Sequence, residues 1–139
     1  MIEGSQYVKT VELFYSFLES EFGFNKANET INGNAFYDVE YRSAEKVVSI
    51  SYENIEAHLE IIVFKLLNGK MPDHDDKSQT LHLNRLNRLV MQRVSKDEIS
   101  SNAQYFSEYN AKDELERKLL KGAKELRLCL RHFDQLQIA

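Results

Sequence analysis

At residue 24 the spacing of apolar side chains changes from one or two per helical turn to one in every two residues, and from residue 83 it changes back. Each spacing keeps a single face apolar only in its own backbone geometry, so the middle of this chain must be a sheet and its flanks must be helical. Before the change, Tyr7, Val8, Val11, Phe14, Tyr15, Leu18 and Phe22 follow the i, i+3, i+4, i+7 pattern of one helix face. Ser5 is placed to cap the start. Gly23 stands where a left-handed C-terminal cap is wanted, with Phe24 able to fold back onto the last turn. The spacing predicts one unbroken helix ending at Phe22.

Within the period-two region, Asn32-Gly33 separates two runs able to form strands, a strong signal for a tight hairpin. In the second run Tyr37, Val39 and Tyr41 alternate with Asp38, Glu40 and Arg42, which predicts one buried and one solvated face. Residues 43–46 make a turn. Val48, Ile50 and Tyr52 alternate with Ser49, Ser51 and Glu53 in a third strand, and residues 57–67 form a fourth with Leu59, Ile61 and Val63 on one side. Ile62, Phe64 and Leu66 make the end of that strand apolar on its other side as well, which calls for cover by a helix or by a partner chain.

Asn68-Gly69 ends the sheet, and residues 68–80 form a loop longer than compact domains usually carry. Leu83, Leu86, Leu89, Val90 and Val94 then predict a short amphipathic helix, Ser95 with Glu98 matches a capping box, and Asn110 or Asp113 can recap after a kink. Leu115, Leu119, Ala123, Leu126, Leu130 and Phe133 form the final apolar stripe, and the same helical wheel sets Leu128 away from it among basic side chains. With no internal repeat or flexible linker, residues 1–139 read as a single α+β domain: an N-terminal helix, a four-stranded antiparallel meander, then two or three C-terminal helices.

Charge narrows the function. Residues 1–70 carry eleven acidic and six basic side chains, while residues 71–139 carry eleven and twelve, so the acidity belongs to the N-terminal half. That sign is wrong for nucleic acid, whose binding draws on phosphate neutralisation by Lys and Arg, and right for a basic protein partner. No apolar run approaches the length that spans a bilayer and no leader-like pattern opens the chain, so a cytoplasmic protein is expected. Cys129, the single cysteine, has no partner for a disulfide and falls beside Leu126, Leu130 and Phe133, where a thiol acts as a small inert hydrophobe. With five glycines and neither a phosphate-binding loop nor a nucleophile motif, the chain is expected to need no cofactor and reads more readily as a binding protein than as an enzyme.

Two clusters are candidate sites. Asp38 and Glu40 on the second strand, Glu53 on the third and Glu60 on the fourth all alternate with core positions, so they are expected to gather on one sheet face, with Phe36 as an aromatic anchor on the same side. The plainer alternative is an ordinary solvated face. Asp73, His74, Asp75 and Asp76 concentrate metal-compatible side chains in the long loop, but Ser78 and Asn84 stand where a calcium loop counted from Asp73 needs Gly and Glu. No metal is expected there, and capping of turns by the aspartates is the simpler role. The basic stripe Arg117, Lys121, Lys124, Arg127 and Arg131 is interleaved with Glu114, Glu116 and Glu125, as a solvated helix face would be.

The helix ending in Phe22-Gly23-Phe24, followed by a meander containing Tyr41-Arg42-Ser43 and Ile50-Ser51-Tyr52, resembles the small cytoplasmic immunity proteins of bacterial polymorphic toxin systems over residues 5–67. The resemblance implies a stoichiometric inhibitor that binds and blocks a toxin domain. It assigns no residue a role, so the acidic positions rest on strand alternation alone. Two other readings stay open: a small-ligand-binding protein or enzyme with a pocket between sheet and helices, and an oligomeric structural protein, such as a homodimer, joined through the fourth strand or the last helix with Leu120 and Leu128.

Overall fold

The computed structural model describes residues 2–136 and 138, and the fold is α+β. Helix α1 (Gly4–Phe14) and the single turn α2 (Phe17–Ser20) precede strands β1 (Asn25–Asn32), β2 (Phe36–Arg42), β3 (Lys46–Glu53), β4 (His58–Lys65) and β5 (Thr80–His82). Helices α3 (Leu83–Val90), α4 (Lys96–Tyr105) and α5 (Glu114–Arg131) complete the order, followed by a 3-10 turn at Phe133–Gln135. All strand pairs are antiparallel and neighbours in sequence are neighbours in the sheet, a meander in the order β1-β2-β3-β4-β5.

The first helix is not continuous as its spacing predicts. It closes at Tyr15 and restarts after Ser16. A straight helix would send Tyr15 and Phe17 about 200° apart around its axis, yet both are fully buried, and the break is what turns them both inward. Gly23 then takes the left-handed conformation, with φ of 72°, and the Phe24 N–H reaches back to the Leu18 carbonyl at 2.9 Å.

The inner sheet face is made by Tyr37, Val39 and Tyr41 of β2, Val48, Ile50 and Tyr52 of β3, Leu59, Ile61 and Val63 of β4, and Leu81 of β5. Helices α1, α3 and α5 cover it. Three tyrosines tie this layer to the backbone: Tyr7 Oη donates to the Ile50 carbonyl, Tyr15 Oη to that of Leu119 and Tyr37 Oη to that of Ile2, each at 2.8 Å. Asn54 reinforces the last of these by donating from Nδ2 to the Ile2 and Asn34 carbonyls. Helix α5 lies so close to β4 that a Cβ built on Gly122 would stand 2.6 Å from Ile61 Cδ1 and 2.8 Å from Tyr15 Oη.

The fifth strand, absent from the four-strand expectation, is three residues long and too short to show a period. Val47, Ile62 and Phe64 form a second small apolar cluster on the outer sheet face, with Leu66 against it. The chain's own loop lies on Phe64: the His74 ring stands edge-on to it at 5.7 Å, and Arg42 Nη2 donates to the Gly69 carbonyl at 2.6 Å.

Ser95 and Asp113 cap α4 and α5 through bonds to the N–H groups of Glu98 and Glu116. Leu128 departs from its helical-wheel position. It is buried, because α4 packs along that flank of α5, with Asn102 Nδ2 donating to the Lys124 carbonyl at 3.0 Å. Leu120 is buried too.

Gly122→Ala is expected to destabilise the fold by about 1–3 kcal/mol, because Ile61 and Tyr15 must both retreat, and a urea titration measures it. A second expectation concerns alkaline pH. Burial holds the Tyr7 and Tyr15 phenols well above their ordinary value. In the unfolded chain they ionise near pH 10, so their contribution is intact below that pH and lost above it, at about 1.4 kcal/mol per pH unit for each phenol. Urea midpoints should fall steeply above about pH 10, with phenolate absorbance appearing together with unfolding.

Candidate functional site

Strand alternation and register together set the outer face of the sheet. Asp38 lies between Thr30 of β1 and Ser51 of β3, Glu40 between Asn28 and Ser49, Phe36 beside Glu53, and Glu60 beside Ser51. Glu53 is in turn paired with His58. The five positions singled out from sequence therefore project from three adjacent strands to one side, opposite the helices. Small Ser, Thr and Asn side chains fill the spaces between them. At the β2 turn end stands Phe36, half-buried, while the loop of residues 66–80 closes the other end.

Several carboxylates away from this face are held in ion pairs. Glu21 meets Arg127 and Arg131, Glu98 meets Arg131 and His132, Glu12 and Glu29 share Lys26, Glu114 meets Arg117 and Glu125 meets Lys121. Among the described residues Asp38 and Glu40 form no ion pair. Asp38 accepts from Ser49 Oγ at 2.7 Å. Partial burial raises its pKa above the ordinary value, opposed by the Ser49 hydroxyl and the Val39 N–H. Glu40 is raised by burial and then by the charge of Asp38, with Asn28 and Arg42 acting the other way. Arg42 is the nearest cation in sequence, but its guanidinium donates to the Gly69 carbonyl. Two partly desolvated carboxylates thus stand side by side with no ion pair among the described residues, and only the field of Arg42 offsets Glu40.

Glu60 is different again. His82 Nδ1 stands 3.0 Å from its Oε1 and His58 Nε2 stands 3.9 Å from its Oε2. Sequence reasoning placed neither histidine here. His58 was legible as the residue two before Glu60 on the same strand face, whereas His82 belongs to β5, which has no sequence signal of its own. The loop carboxylates are engaged within the loop or exposed rather than gathered with the four on the sheet. Asp76 Oδ1 accepts from the Ser78 N–H and hydroxyl, the Asp73 carbonyl accepts from Thr80 Oγ1, and His74 stands against Phe64. Asp75 is exposed. Among the described residues no group of three His, Cys, Asp or Glu side chains is placed to hold a metal ion.

A cleft of about 370 Å³ opens where α5 crosses the start of β4. Its floor is Leu59, Ile61, Leu83 and Gly122, and its rim includes His58, Glu60, His82, Lys118 and Lys121. Cys129 lies elsewhere, fully buried in the core, where burial pushes its thiol up to about 12. Of the basic side chains of α5, Arg117, Lys121, Arg127 and Arg131 are paired, and Arg127 holds Glu21 through two nitrogens at 2.8 and 3.2 Å, reaches Asn102 at 2.9 Å and lies 4.0 Å over the Tyr105 ring. No helix of the described chain is long and apolar enough to cross a membrane.

Comparison with family models, with curated proteins and with solved structures finds no match for this chain.

Asp38→Asn tests the electrostatic account. A carboxyl whose folded pKa is raised lowers stability as pH climbs past its unfolded value near 4, so at neutral pH the neutral isostere should be the more stable protein. The gain should vanish below about pH 4, where wild-type Asp38 is also uncharged. In the same variant the Glu40 titration, followed by carboxyl NMR, should move down towards the ordinary range.

Proposed function

We propose that this chain is a non-enzymatic protein-binding domain, and that it acts as an immunity-like inhibitor whose acidic sheet face occludes a basic surface of a toxin domain. The observation that carries the reading is the adjacent, partly desolvated and unpaired carboxylate pair Asp38 and Glu40 on the sheet face that no helix covers. Holding two such charges together works against the fold. A guanidinium or ammonium from a partner supplies the missing countercharge and removes their mutual repulsion, so the same pair that weakens the free protein strengthens a complex. Glu53 and Glu60 extend the negative field across two more strands and steer a basic partner before contact. Phe36 at the margin offers an aromatic surface for packing once it has docked. The resemblance of residues 5–67 to immunity proteins supplies the toxin as partner.

The cleft beside β4 favours a second reading, a small-ligand site between sheet and helices, since its volume falls within the usual range for such sites. The structural motives for a homodimer are weaker than the sequence suggests. Leu128 and Leu120 are buried within the chain, and its own loop stands against Phe64 on the outer apolar cluster of β4.

Mixing the protein with the toxin encoded beside it should give a tight complex whose association slows about tenfold or more from low to physiological salt. Asp38→Lys with Glu40→Lys should weaken that complex by at least about tenfold while melting stays cooperative. A missing complex, or one indifferent to both salt and charge reversal, overturns the reading.

A further inference from the structure

The sheet has one unfinished edge. Strand β4 runs from His58 to Lys65 and pairs with β3 along its whole length, but β5 pairs with it only at Ile62, Val63 and Phe64. At Leu83 the chain leaves the sheet and enters α3, so the stretch from His58 to Ile61 has a strand neighbour on one side only. Peptide groups along such an edge present unpaired N–H and C=O groups and form a template for another strand.

The opposite edge shows how this fold treats an edge it keeps closed. Strand β1 carries Lys26, Glu29 and three asparagines, and its register shifts between Lys26 and Asn28. Charge and a register break both discourage strand addition. The open part of β4 has no register break, and its one formal charge, Glu60, lies on the outer face. It has regular register and faces the 370 Å³ cleft under α5.

We propose that this edge receives an extended segment of the partner protein, which adds to β4 in line with β5 and completes the sheet. Strand addition sends alternate side chains of the incoming segment to opposite sides. Those on the inner side enter the cleft over Leu59, Ile61, Leu83 and the bare backbone of Gly122, so they are apolar. Those on the outer side lie beside Glu60 and continue the surface of Asp38 and Glu53, so they are basic. The basic character of the segment rests on the function proposed above; the strand addition rests on the edge alone. The site accordingly fits a segment that alternates Lys or Arg with Leu, Ile or Val.

The test uses the whole protein and two blocked hexapeptides that alternate lysine with leucine, one unmodified and one N-methylated at alternate residues so that one edge cannot pair. Amide exchange is followed by NMR. The unmodified peptide should slow exchange at Leu59 or Ile61, whose N–H groups face the open edge, by about tenfold or more at saturation, and the methylated peptide should bind far more weakly. The inference is overturned by no protection at these amides up to millimolar peptide, or by equal binding of the two peptides with shifts only around Asp38 and Glu40. The second leaves the acidic face standing and removes the edge. Conversely, protection by peptide together with a toxin complex indifferent to charge reversal removes the acidic face and keeps the edge. Protection that appears in the protein alone and grows with its own concentration assigns the edge to a second copy and also overturns the inference.

Discussion

The contact on which most of this architecture depends is the one at Gly122. With hydrogen in place of a side chain, α5 comes close enough to β4 for Ile61 and the Tyr15 hydroxyl to occupy the space a Cβ would take. Tyr15 can then bond the Leu119 carbonyl one turn earlier, which fastens the end of α1 to the helix that crosses it. A larger residue would displace the Ile61 side-chain end and the Tyr15 hydroxyl from that space, loosening the contact among the three elements. The same residue floors the cleft, so the packing of the core and the shape of the surface beside β4 have a common cause.

The two faces of the sheet divide the work. On the inner face, buried phenols donate to backbone carbonyls, so the polar ends of large aromatic residues are satisfied without bringing charge into the core. The outer face retains charge where packing would favour neutrality. Asp38 and Glu40 are partly withdrawn from water, adjacent and without an ion pair, while Glu21 and Glu98 on the helical side of the molecule meet Arg or His. An arrangement that costs stability and is confined to one uncovered surface is the kind that binding explains, because a partner can reverse the cost. The unfinished β4 edge adjoins that surface, so charge and backbone hydrogen bonding would act on one partner at neighbouring places.

Several local features could be read residue by residue. Alternation from Tyr37 to Tyr41 and from Val48 to Glu53 sorted inner from outer positions correctly, and the acidic side chains fall on one face for that reason. Ser95 and Asp113 are caps because a short side-chain oxygen at those positions reaches an otherwise unbonded N–H. Other features had no local trace. The break at Ser16 occurs because Tyr15 and Phe17 both find room inside, although their spacing would separate them on a straight helix. Leu128 lies off the main stripe of its helix and is buried because α4, some twenty residues away in the chain, covers that flank.

Sequence by itself determined the order of the first four strands and of the helices after them, the Asn32-Gly33 hairpin, the caps at Ser95 and Asp113 and the side of the sheet towards which the residues of β2 and β3 point. These follow from the bond geometry of a residue and its near neighbours, which repeats along the chain. Tertiary structure alone decided what each face meets: the loop that lies on Phe64, the helix that covers Leu128, the histidines that flank Glu60 and the strand that stops at His82. Those outcomes depend on which distant segments compete for the same apolar surface, and no local spacing records that competition.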